Sequence, residues 1–400
     1  MRYYNPFVQW HITENCRNHC RHCYMGNSNG QMKKPQDLSF EELNKILQNL
    51  ARFEKKYGTK IVNYNITGGD PFEHKDFEKL LSTLHSQRKK IKILGIPERI
   101  DPKNLSLLEK YGVDEYQVSL DGLAETHDSL RGQGSFDRTI QAIKYINENS
   151  AMTVSVMFTI HDGNYRELFP LIEFLRREKL QIVFRFDVLV FEGNAKHGFQ
   201  MLDKQVINEI LKEYRSIKIA LRKAGEPLVL HEKMKLFNTI GKSDINSKLA
   251  KYTDAGGCEC GFTNITILSN GDVYPCRRLP ILVGNMLEDE FSDLFLNNIT
   301  LRKLRRISSF EYCRDCDYAK VCRGCPALVY SITGDAFAKF PYCDQKKYVH
   351  PLLEEPDIEG TEENEFAYIT NTLINNFVEG GYCQNRDGVL LDIYDHVCLK

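Results

Sequence analysis

The stretch Cys16-Arg-Asn-His-Cys20-Arg-His-Cys23-Tyr24 places three thiols in one short segment near the amino terminus. A single iron–sulfur cluster can collect all three of these thiolates. A [4Fe–4S] cube normally takes four thiolates, so a set of three leaves one iron open to bind a reacting ligand. The spacing therefore predicts a cluster with an open iron at the centre of the chemistry.

The composition excludes several classes of protein. The 400 residues are 42% hydrophobic, enough for one large core and at least one smaller one. Lys and Arg number 53 and Asp and Glu 54, so no global charge favours nucleic acid or an anionic membrane. No apolar run approaches the ~20 residues that span a bilayer, and the start lacks the apolar region of a signal peptide. We expect a cytoplasmic protein without nucleic-acid or membrane partners.

The chain contains 13 cysteines, many at spacings of two to six residues. Disulfide frameworks with such spacings belong to small secreted domains, and this chain is neither small nor predicted to be secreted. In a reducing compartment, clustered thiols are more often ligands of metals or clusters. The cysteines therefore predict metal sites rather than disulfides.

From residue 8 to about 190, apolar β-branched runs alternate with amphipathic stretches, which is typical of repeated βα units. The predicted strands are Val8–Thr13, Ile61–Thr67, Ile91–Ile96, Glu115–Leu120, Thr153–Ile160 and Ile182–Val190. The predicted helices are Phe40–Tyr57, Phe77–Arg88, Pro102–Tyr111, Phe136–Asn147 and Tyr165–Glu178. This α/β pattern predicts a parallel sheet closed, or partly closed, into a (β/α)6 barrel like part of a TIM barrel.

The cysteine segment follows the first strand and Thr67-Gly-Gly-Asp-Pro71 follows the second. Barrel chemistry is found at such carboxyl ends of strands. Further along, residues 202–250 are polar and mainly helical, and the segment Cys258–Cys343 is rich in turns and cysteines, with a hairpin-like turn at Ser269–Asp272. We divide the chain into a barrel over 1–200, a helical bridge over 201–255, a small cysteine-rich α+β domain over 256–345 and an extension over 346–400.

The extension begins with an acidic stretch, Glu354–Glu365, whose seven acidic residues indicate a solvated linker. Beyond it, Phe366–Phe377 is predicted to form an amphipathic helix and Val389–Tyr394 a short strand.

The spacing C-x3-C-x2-C followed by an aromatic residue resembles the cluster-binding motif of the radical SAM superfamily. The resemblance implies that Cys16, Cys20 and Cys23 hold a [4Fe–4S] cluster and that Tyr24 lies beside the cofactor. In that family S-adenosylmethionine binds the fourth iron, and one electron cleaves its sulfonium to a 5′-deoxyadenosyl radical. The cofactor carries the hard chemistry, and the protein supplies position and shielding.

The segment Gly68-Gly69-Asp70-Pro71 resembles the GGEP motif of the same family, with Asp in place of Glu. The resemblance implies that this backbone contacts the methionine amino group of the cofactor. Two glycines let backbone carbonyls approach a cationic amine without a Cβ between them. By itself the segment predicts only a turn between a strand and a helix.

The segment from Ser119-Leu-Asp-Gly122 to Ser135-Phe136 resembles the region after the fourth strand in radical SAM peptide and protein maturases. The resemblance implies that Ser119 touches the cofactor and that Arg131 pairs with its carboxylate, which a guanidinium fork fits. The simpler interpretations are turn capping for Ser119 and Asp121 and a surface salt bridge for Arg131.

A zinc knuckle is the alternative for the first thiol segment, with His19 or His22 as the fourth ligand. Zinc ligand sets rarely show this three-cysteine spacing at the end of a strand, so we favour the cluster. For His11, His19 and His22 individually, ordinary loop histidines are the preferred interpretation.

The later cysteines resemble the SPASM auxiliary-cluster domain, whose pattern includes C-x9–15-G-x4-C and C-x2-C-x5-C-x3-C; here the last interval, Cys322 to Cys325, is one residue short. The resemblance implies one [4Fe–4S] cluster on Cys313, Cys316, Cys322 and Cys343 and a second on Cys258, Cys276 and Cys325. Cys260 is either the fourth ligand of the second cluster or a substitute for Cys258; if it is neither, that cluster has an open iron. Two four-thiolate zinc sites are the alternative, and Cys383 and Cys398 are expected to be free thiols.

Radical SAM enzymes with this domain act mostly on peptides or proteins, so the resemblance implies a maturase that abstracts a hydrogen and forms a thioether, carbon–carbon or related cross-link. Auxiliary clusters would accept electrons or bind the substrate, and flavodoxin or ferredoxin would supply the reducing electron. Sulfatase maturases place an Asp base after the cysteine of G-x4-C. Here that residue is Arg277, which cannot take a proton, so the sulfatase branch is disfavoured.

Few residues precede the first motif, so a leader peptide would need another surface, a separate partner or no leader step. Cofactor biosynthesis remains an alternative among enzymes. Outside enzymes, the alternatives are an electron-transfer protein with several clusters and a zinc-stabilised interaction module.

Overall fold

The computed structural model describes residues 7–26, 37–231, 258, 260–314, 316, 324–343, 360–367 and 369, and the backbone of 382–384 and 390–392. Its main element is one ten-stranded sheet with the strand order β10-β9-β8-β1-β2-β3-β4-β5-β6-β7. The pairs from β8 through β1 to β7 are parallel, and β8-β9 and β9-β10 are antiparallel. The predicted α/β fold, a partial TIM-like barrel, is confirmed.

The barrel strands are β1 Phe7–Thr13, β2 Asn63–Gly68, β3 Lys90–Leu94, β4 Val113–Ser119, β5 Thr153–Ile160, β6 Ile182–Val188 and β7 Leu228–His231. The later strands are β8 Asn264–Ile267, β9 Asp272–Tyr274, β10 Gly284–Asn285, β11 Tyr382–Gln384 and β12 Leu390–Asp392. Strands β11 and β12 pair only with each other.

The helices of the barrel are α1 Phe40–Tyr57, α2 Phe77–Ser86, α3 Pro102–Lys110, α4 Ala124–Arg131, α5 Ser135–Asn149, α6 Leu168–Arg177 and α7 Lys204–Ala224. The later ones are α8 Phe291–Asn297, α9 Ile299–Arg305 and α10 Pro326–Thr333. A capping box between Ser39 and Glu42 forms the amino-terminal cap of helix α1. Gly58 caps its carboxyl end with a left-handed backbone conformation. In the part of the chain that the structure describes, no helix is both long and apolar enough to cross a bilayer.

The two faces of the barrel sheet differ in chemistry. Val8, Trp10 and Ile12 of β1 are fully buried in the same core as the helices. The alternate residues of β1 point to the opposite, inner face, because side chains alternate along a strand. There Gln9 lies level with Asn65 of β2. The apolar face therefore packs on the helices, and the interior of the barrel is polar.

A charged cluster crosses this interior. Glu115 of β4 pairs with Lys92 of β3 at 2.7 Å and with Arg185 of β6 at 2.9 Å. Burial would raise the pKa of Glu115, but Lys92 and Arg185 lower it to about 2. Both cations are therefore paired with the Glu115 carboxylate on the inner face of the sheet.

Most predicted elements are confirmed, and α1 has the predicted bounds. Among the elements that were not predicted individually are the short helix α4, the strand β7 inside the predicted helical bridge, and the helices α8, α9 and α10 of the cysteine-rich region. The pairing of β8 with β1 was not predicted either. The rest of that bridge, 232–255, lies outside the described residues. The hairpin at Ser269–Asp272 is present between β8 and β9.

The described part of the carboxyl-terminal extension packs on the protein. Glu365 is 2% exposed and lies 3.0 Å from Arg305 of α9, and it also pairs with Arg306. The ring of Phe366 stacks on Tyr57 with centroids 4.4 Å apart. The end of the acidic stretch is therefore a docked segment rather than a solvated linker, because two buried guanidinium groups require its carboxylate.

Replacing Glu365 by Gln is expected to lower the free energy of unfolding by about 3–5 kcal/mol, because it leaves Arg305 and Arg306 buried without their counter-ion. Urea unfolding followed by circular dichroism measures the change. The matched control is Glu363→Gln in the same segment, where the side chain is exposed. Equal losses in both variants would contradict the assignment.

The same ion pairs predict a pH dependence. Burial raises the pKa of Glu365, but Arg306 and Arg305 outweigh it and lower the pKa below its ordinary 4.5. A carboxyl with a lowered pKa contributes its full stability above the ordinary value and loses it as pH falls through the lowered one. The difference between wild type and Glu365→Gln should therefore shrink on acidification.

Candidate functional site

The thiol segment after β1 is held in place from two sides. The amide of Arg21 donates to the carbonyl of Leu130 in α4 at 3.0 Å. Asn194 donates from its backbone to the carbonyl of Cys23 at 2.9 Å and from its side chain to that of Cys20 at 3.0 Å. Two distant parts of the barrel therefore fix the backbone that carries the cysteines.

A buried ion pair lies directly against this segment. Arg131 donates from Nε to Asp121 at 2.5 Å, and its Nη1 lies 3.6 Å from the Sγ of Cys20. His22 is 3.3 Å from the same carboxylate and 3.2 Å from Nη2 of Arg131. Burial lowers the pKa of Arg131, but the Asp121 carboxylate and the nearby thiols outweigh it and raise the pKa above its ordinary value.

Hydrogen bonds with neighbouring groups fix the position of Asp121 as well. Its carboxylate accepts from the amide of Thr159 at 2.8 Å, and its carbonyl accepts from the side chain of Asn164 at 2.9 Å. The amide of Asp121 donates to Nδ1 of His127 at 3.1 Å, so Nε2 of that ring carries the proton and donates to Ser135. Asp121 therefore anchors an ordered ion pair rather than a simple turn cap. The pairing of Arg131 with a cofactor carboxylate stays a prediction.

The glycines of the Gly68–Pro71 segment lie against the thiol segment. The amide of Gly69 donates to the carbonyl of Thr13 at 2.8 Å, and that of Asp70 to the carbonyl of Asn15 at 2.7 Å. A Cβ on Gly68 would lie 2.0 Å from the Thr13 oxygen, and one on Gly69 would lie 2.3 Å from the Asn15 oxygen. Close approach of two backbones therefore requires both glycines, whatever they contact in the cofactor.

The carboxylate of Asp70 is occupied by protein groups. It accepts from the amide of Phe72 at 3.2 Å and pairs with Arg99, which also pairs with Glu73. Burial raises the pKa of Asp70 despite Arg99. Pro71 begins a short 3-10 helix at the same turn. Contact of this segment with a cofactor amine stays a prediction, as does that of Ser119 at the half-buried end of β4.

Tyr24 lies between the first thiol segment and the cysteine-rich segment. Its hydroxyl is 3.4 Å from Nε2 of His11, and the guanidinium carbon of Arg277 is 5.8 Å from its ring centroid. Burial raises the pKa of Tyr24 to about 12, and the charges of Arg277, Cys23 and Cys276 also act on it. The two thiol segments therefore meet around this ring.

Four of the later thiols are close together. Cys260 is buried and hydrogen-bonded to Cys258, and both Cys276 and Cys325 act on its pKa, which is raised by Cys258 and by burial. The proximity of Cys260 supports its choice as the fourth ligand of this set. Cys313 and Cys316 share a turn, in which the amide of Cys316 donates to the carbonyl of Cys313. The amide of Cys343 donates to the carbonyl of Phe340 in a separate turn. Cys322 and Cys398 lie outside the described residues, as does the side chain of Cys383.

The histidines differ from the prediction of ordinary loop residues. His11 is a buried residue of β1, and burial followed by Arg277 lowers its pKa to about 3. His22 is also buried and belongs to the ion-pair cluster with Asp121, whereas His19 is an exposed loop residue. The prediction was wrong for His11 and His22, because strand register and the ion pair cannot be deduced from an isolated histidine.

Sequence reasoning also missed Asn194, Asn164 and Arg99. Each lies far along the chain from the group that it holds, and no local motif surrounds it. These contacts with Cys20, Asp121 and Asp70 are therefore set by the fold and cannot be deduced from neighbouring sequence.

Two family models match the chain: the radical SAM superfamily over residues 10–175 and the SPASM iron–sulfur cluster-binding domain over residues 258–317. The barrel and its thiol segment therefore carry a radical SAM domain. More particularly, this chain combines a radical SAM domain with a SPASM domain that follows the barrel.

Similar proteins fall into more than one activity class. The AdoMet-dependent heme synthase of Methanosarcina barkeri is 26% identical over 84% of this chain and 95% of that protein. The mycofactocin maturase MftC of Mycolicibacterium smegmatis is 26% identical over 79% of this chain and 76% of that protein. The structure of Streptococcus suis SuiB bound to its precursor peptide SuiA has a TM-score of 0.64 at 20% identity, covering 86% of this chain and 76% of that one.

The residues present fit the groups that the two domains imply, namely S-adenosylmethionine, its [4Fe–4S] cluster and auxiliary iron–sulfur clusters. Burial raises the pKa of Cys16 to about 11 and also raises that of Cys23, and coordination to iron deprotonates such thiols. Among the described residues, no three His, Cys, Asp or Glu side chains converge on a point suited to one metal ion. A cube differs from a single ion because each of its thiolates binds a separate iron.

Replacing Asp121 by Asn is expected to lower the free energy of unfolding by about 3 kcal/mol, the lower end of the cost for a buried pair, since Arg131 is 20% exposed and then loses its counter-ion. We also expect less iron per chain after anaerobic reconstitution, because Arg131 no longer holds its place beside Cys20. Colorimetric iron and sulfide counts measure this. Asp162→Asn is the control, since that side chain is 39% exposed and its neighbour at 3.7 Å is the ring of His161, which is neutral near pH 7 because burial lowers its pKa to about 4. Unchanged stability and iron in Asp121→Asn would contradict the role.

Replacing Gly69 by Ala should displace the thiol segment, because the new Cβ would meet backbone rather than a movable side chain. We expect a lower yield of reconstituted cluster, seen as reduced absorbance of the iron–sulfur chromophore. In the control Gly163→Ala, the nearest atom is 3.1 Å away in the side chain of His161. Equal behaviour of the two variants would show that the close approach does not matter.

Proposed function

We propose that this radical SAM enzyme matures a ribosomally synthesised peptide by oxidising it between two iron–sulfur sites. The observation that carries the proposal is the position of Tyr24, which follows Cys23 and whose ring centroid lies 5.8 Å from the guanidinium of Arg277, the residue after Cys276. A substrate next to this ring has a radical source on one side and an electron acceptor on the other. That arrangement suits a reaction in which a carbon radical forms a bond and loses an electron.

Each part of the site has its own task. Cys16, Cys20 and Cys23 hold the first cluster, which Arg131 and Asn194 position through Cys20 and Cys23. When bound, S-adenosylmethionine and this cluster supply the 5′-deoxyadenosyl radical that abstracts a substrate hydrogen. Gly68, Gly69, Asp70, Pro71 and Ser119 line the cofactor, and Tyr24 and His11 shield the inner face of the barrel from water.

The second thiol region supplies two auxiliary clusters in this proposal. Cys258, Cys260, Cys276 and Cys325 hold one of them, which the short distance between Cys258 and Cys260 supports. Cys313, Cys316, Cys322 and Cys343 hold the other. Full ligation of both favours electron transfer over binding of a substrate thiolate. A flavodoxin or ferredoxin supplies the electron that starts each turnover.

Two comparisons support a peptide substrate. A maturase, MftC, matches most of the chain, and the fold resembles that of SuiB, which was solved with its precursor peptide. A second candidate is a carboxylic tetrapyrrole, which the match to the heme synthase over 84% of this chain favours. The two candidates share the cofactor chemistry and differ in the molecule that enters the barrel.

The test begins with anaerobic protein, iron and sulfide counts, and incubation with S-adenosylmethionine and dithionite. We expect 5′-deoxyadenosine from wild type and none from Cys20→Ala, whereas Cys383→Ser, outside both thiol sets, should behave as wild type. An electron-transfer protein or a zinc module would form no 5′-deoxyadenosine in any variant.

The substrate is tested in two arms. Co-expression with short open reading frames beside the gene should give a peptide of altered mass, which Cys20→Ala abolishes. Iron coproporphyrin III is incubated with the same enzyme and its products are identified by mass spectrometry. Turnover of the porphyrin without any peptide modification would replace the first candidate with the second.

A further inference from the structure

Arg277 and Arg278 follow the proposed cluster ligand Cys276, yet their side chains have different partners. Arg278 lies 2.7 Å from Asp187, and both of these side chains are largely buried. It also donates to the carbonyl of Val188 at 3.2 Å. The charge of Arg278 is therefore neutralised within the protein, at the end of β6.

Arg277 lacks such a partner. It is half-buried, and among the residues that the structure describes it forms no ion pair with any carboxylate. Its recorded contact is with the ring of Tyr24, 5.8 Å from the guanidinium carbon to the centroid. A half-buried guanidinium with only an aromatic neighbour has unused hydrogen-bond donors.

Among the described residues, no carboxylate side chain compensates the charge of Arg277. The hydroxyl of Tyr24 lies 3.4 Å from Nε2 of His11. Neither ring is a carboxylate, and burial followed by Arg277 lowers the pKa of His11 to about 3, so its imidazole adds no charge near pH 7. His11 stands on the inner face of β1, so the cation lies beside the polar interior of the barrel.

We propose that Arg277 binds a carboxylate of the substrate and thereby selects substrates with an acidic group near the reacting carbon. This inference rests on the proposed function and adds the chemical class of its substrate. A guanidinium fork matches a carboxylate with two parallel hydrogen bonds. One unpaired cation balances a monoanion, which favours a carboxylate over a phosphate dianion.

The position of Arg277 explains how a bound carboxylate would orient the substrate. Arg277 contacts the ring that lies between the two thiol segments, so a carboxylate held there places the adjoining carbon close to both redox sites. Peptide chain ends, acidic side chains and the propionates of tetrapyrroles all carry this group. Arg277 is a binding residue in this scheme and takes no part in proton transfer.

The first test is chemical labelling of reconstituted wild-type protein with p-hydroxyphenylglyoxal, which modifies free guanidinium groups, mapped by mass spectrometry. We expect label on Arg277 and little on Arg278, the matched internal reference. Propionate should protect Arg277, and propionamide should not. Phosphate should protect less than propionate at equal concentration.

Several results would overturn the inference. Protection by S-adenosylmethionine alone would assign Arg277 to the cofactor rather than to the substrate. Equal protection by propionate and propionamide, stronger protection by phosphate, or no labelling of Arg277 would each exclude a carboxylate site. No reductant is present, so these outcomes do not depend on radical chemistry.

The second test separates the sources of the carboxylate. Protection of Arg277 by N-acetylglycine but not by N-acetylglycinamide would indicate a peptide terminus as the bound acid. Fluorescence-detected binding of coproporphyrin III but not of its tetramethyl ester would indicate a tetrapyrrole. We expect Arg277→Gln to weaken binding of the preferred acid by about tenfold or more, with partial rescue by Arg277→Lys.

The matched control for these variants is Arg166→Gln. Arg166 also lies over an aromatic ring, 4.6 Å from the centroid of Tyr165, but is exposed and is not next to a cysteine in the sequence. An equal loss of binding in Arg166→Gln and Arg277→Gln would overturn the inference. If wild type forms 5′-deoxyadenosine but does not distinguish acids from amides, the carboxylate site fails alone. If it distinguishes them but forms no 5′-deoxyadenosine, only the proposed function fails.

Discussion

The buried carboxylate of Asp121 is the constraint on which the cluster region depends. It accepts hydrogen bonds from the amide of Thr159 near the end of β5 and from Arg131 at the end of α4, and Nη1 of Arg131 lies 3.6 Å from the Sγ of Cys20. Removing a carboxylate from water is costly unless every lone pair finds a donor. The compensation is complete only when β4, α4, β5 and the thiol segment all occupy their places, so the site forms together with the barrel.

The sheet explains how the two thiol regions come to share one ring. Strand β8, which begins the cysteine-rich region, pairs with β1 in parallel, and β9 pairs with β8. This pairing brings the cysteine-rich region alongside β1, and Arg277, three residues after β9, lies 5.8 Å from the ring centroid of Tyr24. Two thiol segments that lie 253 residues apart, counted from Cys23 to Cys276, are thereby carried by neighbouring strands of a single sheet.

Much of the barrel could be predicted because its signals are local. The apolar alternation predicts six strands close to their observed positions, and the capping residues of α1 determine its bounds. Helix α4 was missed because its eight residues are mostly polar, and β7 because it is short and follows a long helix. The burial of Glu365 was missed for a different reason: an acidic stretch indicates solvent unless buried arginines from another element are known to face it.

By itself the sequence determined the chemistry that can be present: three thiols at a cluster-binding spacing, two glycines where backbones must approach closely, and a second set of thiols. The donor atoms and their spacing follow directly from the order of the residues. Only the tertiary structure decided how the charges are shared. Arg277 and Arg278 are identical neighbours in sequence, yet one is neutralised by Asp187 and the other faces an aromatic ring. The physical reason is that an ion pair needs atoms within about 4 Å, a distance that folding sets between residues remote in sequence.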